Sequence, residues 1–251
     1  MRTATALIAI ALVTAWASAT EMGSFVSSFE SPCNDRVDGI GYHDGLLYHA
    51  NYNGPAEVIV TRTGGAVVSS LPDPRYAVDV DYTGSAYWVY SRWSQVPFNR
   101  IVQMNGAGSV VETFAAPTNG EGITYGGGYL WYSTGGNHNW NYVYQLDASA
   151  SVVSSFQAPH GLGYTNRGID WDGEALFVVQ DGASGGYVYR MTTTGSVLNS
   201  HFIEFGGPTG VAWDGRYLWL SDKNTEWVYR MTWTDVAVEP ASLGKVRALF
   251  R

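Results

Sequence analysis

The chain has 251 residues, a formal net charge of −8 and an aromatic content of 14%. Its lysines and arginines form no basic stripe, so a nucleic-acid partner is not expected, because phosphate binding needs clustered basic side chains. The single cysteine, Cys33, cannot form an internal disulfide, so packing and strand pairing have to stabilise the fold.

The first 19 residues have the pattern of an export signal. Arg2 is positively charged, residues 4–13 are apolar, and Ala17-Ser18-Ala19 is a small-residue cleavage site. The apolar stretch is too short to span a bilayer, and no later segment approaches the necessary length. We therefore expect residues 1–19 to be a cleaved signal peptide, with an uncleaved anchor as the alternative. The mature chain would have no membrane span and would be secreted to the periplasm, the cell surface or the medium.

One sequence unit recurs five times after this signal. In each unit an aromatic residue, preceded in four of the five by a Gly-apolar-x string, is followed six positions later by a second aromatic residue. The five pairs are Tyr42 with Tyr48, Tyr82 with Trp88, Tyr125 with Trp131, Trp171 with Phe177, and Trp213 with Trp219. The units are roughly 40 to 46 residues apart, which is the length of a propeller blade.

The fourth unit shows its parts most clearly. Four short strand-like runs occupy residues 168–202, and Asp172-Gly173 after the first run is typical of a two-residue hairpin turn. Such a turn would place Gly168 opposite Phe177. We predict an all-β fold, a five-bladed β-propeller of four-stranded antiparallel blades, over residues 20–236.

The two ends of the repeat region predict how the ring closes. The fifth unit lacks the sequence of an outer strand before the tail begins. The missing piece is present at the mature N-terminus, where Phe25-Val-Ser-Ser-Phe29 closely matches Val153-Ser-Ser-Phe156. We therefore expect the N-terminal strand to complete the last blade.

Three strings resemble the repeats of secreted bacterial propellers of the NHL-like and YVTN-like groups. They are Gly-Ile-Asp-Trp-Asp-Gly (168–173), Gly-Val-Ala-Trp-Asp-Gly (210–215) and Leu-Trp-Leu-Ser-Asp (218–222), and the resemblance extends from about Phe25 to Met231. It implies an interaction surface more than an activity, since a propeller fold does not by itself define a function. The bacterial glutaminyl cyclotransferases are similar in architecture, being five-bladed secreted propellers, but this sequence lacks their active-site strings.

The expected ligand face is the one that carries the loops between the second and third strands of each blade. Asn and Asp side chains there can bind hydroxyl groups, while Trp and Tyr can stack on sugar rings or cover peptide side chains. Trp93 and Trp140 are the most suggestive because they interrupt polar loops, although they could instead cap blade edges. The candidate ligand-binding residues are Asn51, Tyr52, Trp93, Asn137, His138, Trp140, Asp181 and Asp222.

Three carboxylates are the candidates for catalysis. Asp38 and Glu121 occupy equivalent positions before an inner strand, and Asp79 lies one position further along its unit. They would surround the channel mouth on consecutive blades, where two opposed carboxyl groups could serve a hydrolase or a cyclotransferase as acid and base. Convergence in an open cleft would favour this alternative, whereas dispersed or backbone-bonded carboxylates would favour binding.

No cofactor or metal site is expected, because no two of the five histidines have metal-ligand spacing. Residues 237–251 depart from the repeat and end in a basic segment, which suggests either a sorting or attachment tail or a frayed terminus. The sequence thus favours a secreted binding module for a glycan, a peptide or an envelope partner. The alternatives are catalysis at the channel mouth and a structural role in an extracellular assembly.

Overall fold

The structure consists of short antiparallel β-strands. The computed structural model describes residues 23–33, 37–52, 57–72, 76–92, 99–135, 141–159 and 163–234, so the expected signal peptide and tail lie outside the described residues. The strands are β1 (Phe25–Glu30), β2 (Val37–His43), β3 (Leu46–Asn51), β4 (Glu57–Arg62), β5 (Val67–Pro72), β6 (Ala77–Tyr82), β7 (Ala86–Arg92), β8 (Asn99–Asn105), β9 (Val110–Ala115), β10 (Gly122–Gly126), β11 (Tyr129–Ser133), β12 (Tyr142–Leu146), β13 (Val152–Gln157), β14 (Thr165–Trp171), β15 (Leu176–Gly182), β16 (Gly185–Met191), β17 (Val197–Ile203), β18 (Pro208–Trp213), β19 (Tyr217–Asp222) and β20 (Trp227–Thr232). Within these ranges no helix is long and apolar enough to cross a membrane.

The strands form the five four-stranded blades that the sequence predicted. Blades 1 to 4 are β2–β5, β6–β9, β10–β13 and β14–β17, each running in chain order from the inner to the outer strand. Blade 5 combines β18, β19 and β20 with β1, whose residue Phe29 pairs with Val228. The N-terminal strand therefore closes the ring, and the prediction made from the Phe25–Phe29 segment is confirmed.

The two inner strands pair in one register in every blade. The first repeat aromatic lies opposite the residue five positions later, which gives the pairs Tyr42–Leu47, Tyr82–Tyr87, Tyr125–Leu130, Trp171–Leu176 and Trp213–Leu218. The repeat in the sequence is therefore also a repeat of strand register.

The hairpin turn of blade 4 is displaced by one residue from its predicted place. Its central pair begins at Gly173, so the residue opposite Phe177 is Asp170 and not Gly168, as the sequence had suggested. The displacement has a side-chain cause. The Oδ1 atom of Asp172 accepts hydrogen bonds from the backbone N–H groups two and three residues later, at 2.8 and 2.6 Å, which holds Asp172 at the edge of the turn.

The hydrophobic core lies between the blades, where the two repeat aromatics of neighbouring blades meet. The second aromatic of one blade packs on the first aromatic of the next, with ring centroids separated by 5.1 Å for Tyr48 and Tyr82, 6.4 Å for Trp88 and Tyr125, 6.2 Å for Trp131 and Trp171, and 5.5 Å for Phe177 and Trp213. At the fifth interface Tyr42 packs against the cluster that contains Trp219. The six-residue spacing of the sequence is therefore explained by stacking between blades.

The inner strands come into backbone contact near the propeller axis. A Cβ atom on Gly168 would lie 2.8 Å from the Cα atom of Gly210, and a Cβ atom on Gly210 would lie 2.6 Å from the backbone nitrogen of Ile40. These separations leave no room for a side chain, so glycine is required where the strands approach one another. The crowded glycines separate the two mouths of the channel.

Candidate functional site

Four of the predicted ligand-binding residues are described by the structure. Asn51 and Asp222 are buried, while Tyr52 and Asp181 are half-buried. The Oδ1 atom of Asp222 accepts the backbone N–H groups of the residues two and three positions later, so this carboxylate caps its own turn. The other four predicted residues, Trp93, Asn137, His138 and Trp140, lie outside the described residues. The ligand-binding role of all eight stays a prediction.

The predicted face carries a chain of ion pairs that crosses four blades. Glu121 accepts from Arg92 at 2.6 Å and from Arg167 at 2.9 Å. Asp181 accepts from Arg167 at 3.2 Å and is also paired with Lys223. We call these five residues the charged mouth. Each of its carboxylates contacts two cations, so both carboxylates are bound within the protein.

The three carboxylates proposed for catalysis are held separately. Glu121 belongs to the charged mouth, and Asp38 is buried at 3% exposure. Asp79 is buried as well, and its two oxygens accept the backbone N–H groups of Ile123 at 2.8 Å and Val80 at 3.0 Å. Burial raises the pKa of Asp79 well above its usual value. Asp79 is thus bonded to backbone, the arrangement that favours binding over catalysis, whereas Glu121 is bonded to two arginines, and the catalytic role of the three carboxylates stays a prediction.

A pocket of about 350 Å³ opens at the opposite mouth, where the turns between the two inner strands of each blade meet. Its walls are the first repeat aromatics, one from every blade, with His43 beside them. Its floor is made by Asp81, Thr124 and Asp170, which are nearly fully buried. We call this pocket the axial cup, and its five wall residues are Tyr42, Tyr82, Tyr125, Trp171 and Trp213.

The floor residues are held by bonds between blades. The Oδ2 atom of Asp81 accepts the backbone N–H of Tyr125 at 2.7 Å, and the Oδ2 atom of Asp170 accepts the backbone N–H of Trp213 at 2.6 Å. These bonds tie blade 2 to blade 3 and blade 4 to blade 5. The oxygen of the Thr124 hydroxyl lies between the two acids, 3.2 Å from Asp81 and 3.1 Å from Asp170.

If Asp81 and Asp170 are both ionised, only one of their two contacts with the Thr124 hydroxyl can be a hydrogen bond. The hydroxyl of Thr124 donates only one proton, so the second contact is a hydrogen bond only when one carboxyl group is protonated. Burial raises the pKa of Asp170 well above its usual value, and the nearby charge of Asp81 raises it further. Burial also raises the pKa of Asp81, although the N–H of Tyr125 partly offsets this. The floor therefore holds a proton to higher pH than ordinary aspartates do.

Three blades contribute a polar side chain to the floor, and the other two have a small residue at the same position. The position before the first repeat aromatic is Asp81, Thr124 and Asp170 in blades 2 to 4, but Gly41 and Ala212 in blades 1 and 5. A Cβ atom on Gly41 would lie 2.5 Å from the backbone oxygen of Val80, and Ala212 is fully buried, so these two positions are closely packed and supply no polar side chain to the floor.

The sequence carries a signal for this site beside the repeat aromatics. Aligning the five units on their first aromatic residue places two acids and a threonine at the preceding position. Asp38 and Glu121 drew attention instead because they are acidic and precede an inner strand. Within the described ranges no group of three or more His, Cys, Asp or Glu side chains could hold a metal ion.

Comparison with known proteins shows the fold. No family model matches the chain. No curated protein sequence matches it either. Among solved structures, the glutaminyl cyclase of Myxococcus xanthus superposes with a TM-score of 0.65 at 12% identity, over 84% of this chain and 95% of that one.

Two further solved structures are similar over comparable lengths. The PQQ-bound aldose sugar dehydrogenase of Streptomyces coelicolor matches with a TM-score of 0.56 at 11% identity, covering 84% of this chain and 97% of that one. The virginiamycin B lyase of Staphylococcus aureus matches with a TM-score of 0.50 at 13% identity, covering 83% and 99%. The chain is thus a β-propeller repeat protein, as predicted, with neighbours of varied activity. Its assignment to the NHL-like or YVTN-like groups stays a prediction.

Proposed function

We propose that this chain is an exported binding protein and that the axial cup is its binding site. The observation that carries the proposal is the meeting of five aromatic side chains, one from each blade, over a polar floor in one pocket. Aromatic walls with a few directed polar groups are the usual composition of a small-molecule site, and about 350 Å³ falls within the usual volume range.

The proposed occupant is a small molecule, or one terminal unit of a glycan, a peptide or an envelope molecule. Each wall ring is already stacked or packed on a neighbouring blade, so it is held in place before a ligand arrives. Rigid aromatic surfaces lose little conformational entropy on binding. The oxygens of Asp81 and Asp170 would fix the orientation of the ligand.

The test is a glycan and peptide array probed with residues 20–251, followed by titration of each hit by tryptophan fluorescence. Trp171→Ala and Trp213→Ala should each weaken binding about tenfold, since one buried aromatic contact contributes on the order of 1 kcal/mol. Trp227→Ala is the matched control, because Trp227 is 40% exposed on β20 and does not line the cup. If both cup variants bind normally while Arg167→Ala does not, the ligand face is the charged mouth and the proposal is wrong.

Export is the second part of the proposal, and it is supported by the composition of residues 1–19. Expression of the full chain in a bacterial host should yield a mature protein that begins at about Thr20. N-terminal sequencing of the protein from the periplasm and the medium measures this directly. A cytoplasmic protein that retains Met1 would contradict it.

Acid–base catalysis in the same cup is a second candidate function. Asp81 and Asp170 both contact the hydroxyl oxygen of Thr124, so their nearest oxygens are separated by no more than those two contact distances together. A protonated carboxyl group near an ionised one can act as general acid and general base, as the paired carboxylates of glycoside hydrolases do, and could serve a hydrolase or a cyclotransferase. Product formation from array hits, chromogenic glycosides or peptides with N-terminal glutamine would support this candidate, provided that Asp170→Asn abolishes it. Binding without turnover would leave the binding function alone.

A further inference from the structure

We propose that the natural occupant of the axial cup carries a positive charge, as an organic ammonium group, and that this charge is held over the carboxyl groups of Asp81 and Asp170. This inference rests on the proposed function, since it names the ligand class of the same site. It depends on three observations: the aromatic walls, the unbalanced acids of the floor, and the way the opposite mouth balances its own acids.

The walls of the cup suit a cation. Tyrosine and tryptophan rings present a negative face, and a cation within about 6 Å of a ring centroid is attracted to it. Five such rings line the cup, including the indoles of Trp171 and Trp213, and Tyr125 and Trp171 each stack one face on a ring of the preceding blade. Aromatic rings also stack on neutral sugars, so the walls by themselves do not distinguish a cation from a sugar.

The polar floor of the cup favours a cation over a neutral ligand. Asp81 and Asp170 line the cup, whereas none of its described lining residues is Lys or Arg. Two ionised carboxylates that share one hydroxyl in a buried site lose hydration and repel each other, which raises the pKa of both acids. A cationic ligand would remove this penalty from above, so its arrival allows both acids to ionise.

The charged mouth shows that this chain does balance buried acids with cations elsewhere. There, Glu121 contacts two arginines, and Asp181 contacts one arginine and one lysine. Among the described residues that line the cup, the two acids are joined by one histidine, His43, and by no lysine or arginine. A pair of acids with so little protein counter-charge beneath a ring of aromatics has the composition of an ammonium site.

Other titratable groups face the acid pair from the packed strands. They are His43 and Tyr42 on β2, Tyr82 and the deeper Asp79 on β6, and Tyr125 on β10, while β18 contributes only Trp213 to the cup lining. His43 interacts favourably with ionised Asp81 and lowers its pKa. The exchange is balanced without covalent change: one cation enters, one proton leaves the floor for solvent, and the charge of the ligand is unchanged.

Choline and its neutral carbon isostere 3,3-dimethylbutan-1-ol are the probes, because they share a shape and differ by one permanent charge. Residues 20–251 are titrated with each by tryptophan fluorescence at several pH values, and by calorimetry in buffers of different ionisation enthalpy. Choline should bind about tenfold or more tightly than the alcohol. Its affinity should rise by up to about tenfold per pH unit while the floor holds its proton, with release of up to one proton per choline.

Three variants separate the charge from the shape of the cup. Asp170→Asn keeps the size of the side chain and an acceptor for the N–H of Trp213, so it should flatten the pH dependence while Asp81 still attracts choline, and the double variant Asp81→Asn, Asp170→Asn should remove the preference for choline. The control for Asp170→Asn is Asp147→Asn, a carboxylate in an exposed turn of blade 3, which should bind as wild type. Trp171→Ala should weaken the binding of choline, and Trp227→Ala should not.

Three results would overturn the inference. Equal affinity for choline and the alcohol would show that charge is not recognised, and choline affinity that does not change with pH would show that no proton is exchanged. A preference for choline that survives the double variant Asp81→Asn, Asp170→Asn would place the cation away from the floor. These failures differ from failure of the proposed function, in which array hits bind equally well to the wild type and to Trp171→Ala.

Discussion

The two mouths of the propeller are built from the same five repeats, yet their partly or fully buried acids have different kinds of partner. At the charged mouth, Glu121 and Asp181 are each contacted by two basic side chains from their own or neighbouring blades. At the axial cup, Asp81 and Asp170 meet backbone N–H groups and a shared hydroxyl but no basic side chain among the bonds that the structure describes.

This difference distinguishes a site whose acids already have basic partners from a site that can accept a ligand. The ion pairs of the charged mouth satisfy its carboxylates and link blades 2 to 5, so a ligand there has to displace an existing partner. The acids of the cup can both bond to the Thr124 hydroxyl only while one of them is protonated, and aromatic rings line the open space above them. A ligand that binds in the cup can therefore stabilise its acids without displacing a partner from an ion pair.

The largest effect is expected where the inner strands separate the two mouths. Gly168→Ala places a Cβ atom 2.8 Å from the Cα atom of Gly210, a contact between backbones that no side-chain rotation relieves. The variant should lose about 3 kcal/mol of unfolding free energy in chemical denaturation, or fail to fold. Gly64→Ala is the control, since a Cβ there meets nothing within 4 Å, and it should stay within about 0.5 kcal/mol of wild type. Equal stability of the two variants would mean that the strands do not touch.

The next effect concerns the charged mouth. Glu121→Ala leaves Arg92 and Arg167 without their shared carboxylate, and we expect a loss of about 2 kcal/mol of unfolding free energy, less than for a fully buried pair because both arginines are partly exposed. Affinity at the cup should be unchanged. Glu174→Ala is the control, since this side chain is 86% exposed where it contacts Arg190. A cup ligand lost in Glu121→Ala at full stability would move the ligand to the charged mouth.

The fold was predictable because its repeat is a packing rule visible in sequence. Residues six apart, such as Trp171 and Phe177, stack on the preceding and the following blade, so their spacing recurs wherever a blade recurs. The closing strand was predictable because Phe25–Phe29 has the sequence of an outer strand. The turn position was not, since the bonds that Asp172 makes to the backbone compete with the preference of Asp-Gly for a turn centre.

The site was harder to predict because it depends on which way single residues point. Asp81 and Asp170 stand directly before a wall aromatic, and only the inner-strand register shows that both reach the hydroxyl of Thr124 on the blade between them. By residue type alone, Asp38 and Glu121 are as good candidates for a site as Asp81 and Asp170. Acids at the start of a strand and acids within it look alike in sequence, although one pair lies near the charged mouth and the other forms the cup floor.

The smallest effect is expected from removing a single floor charge in the absence of ligand. The pKa of Asp170 is raised in the folded state, so this group contributes stability that is fully present below its unfolded pKa of about 3.9 and is lost as pH rises through the folded pKa. Asp170→Asn cannot ionise and should lose no stability over that interval. The difference in thermal midpoint between variant and wild type should therefore shift in favour of the variant as pH rises. Asp147→Asn should show no such gain, because hydrogen bonds from Ser149 and Ser151 lower the pKa of Asp147. A constant difference for Asp170→Asn across the pH range would mean that the floor holds no extra proton, and the contrast between the two mouths would then be one of geometry alone.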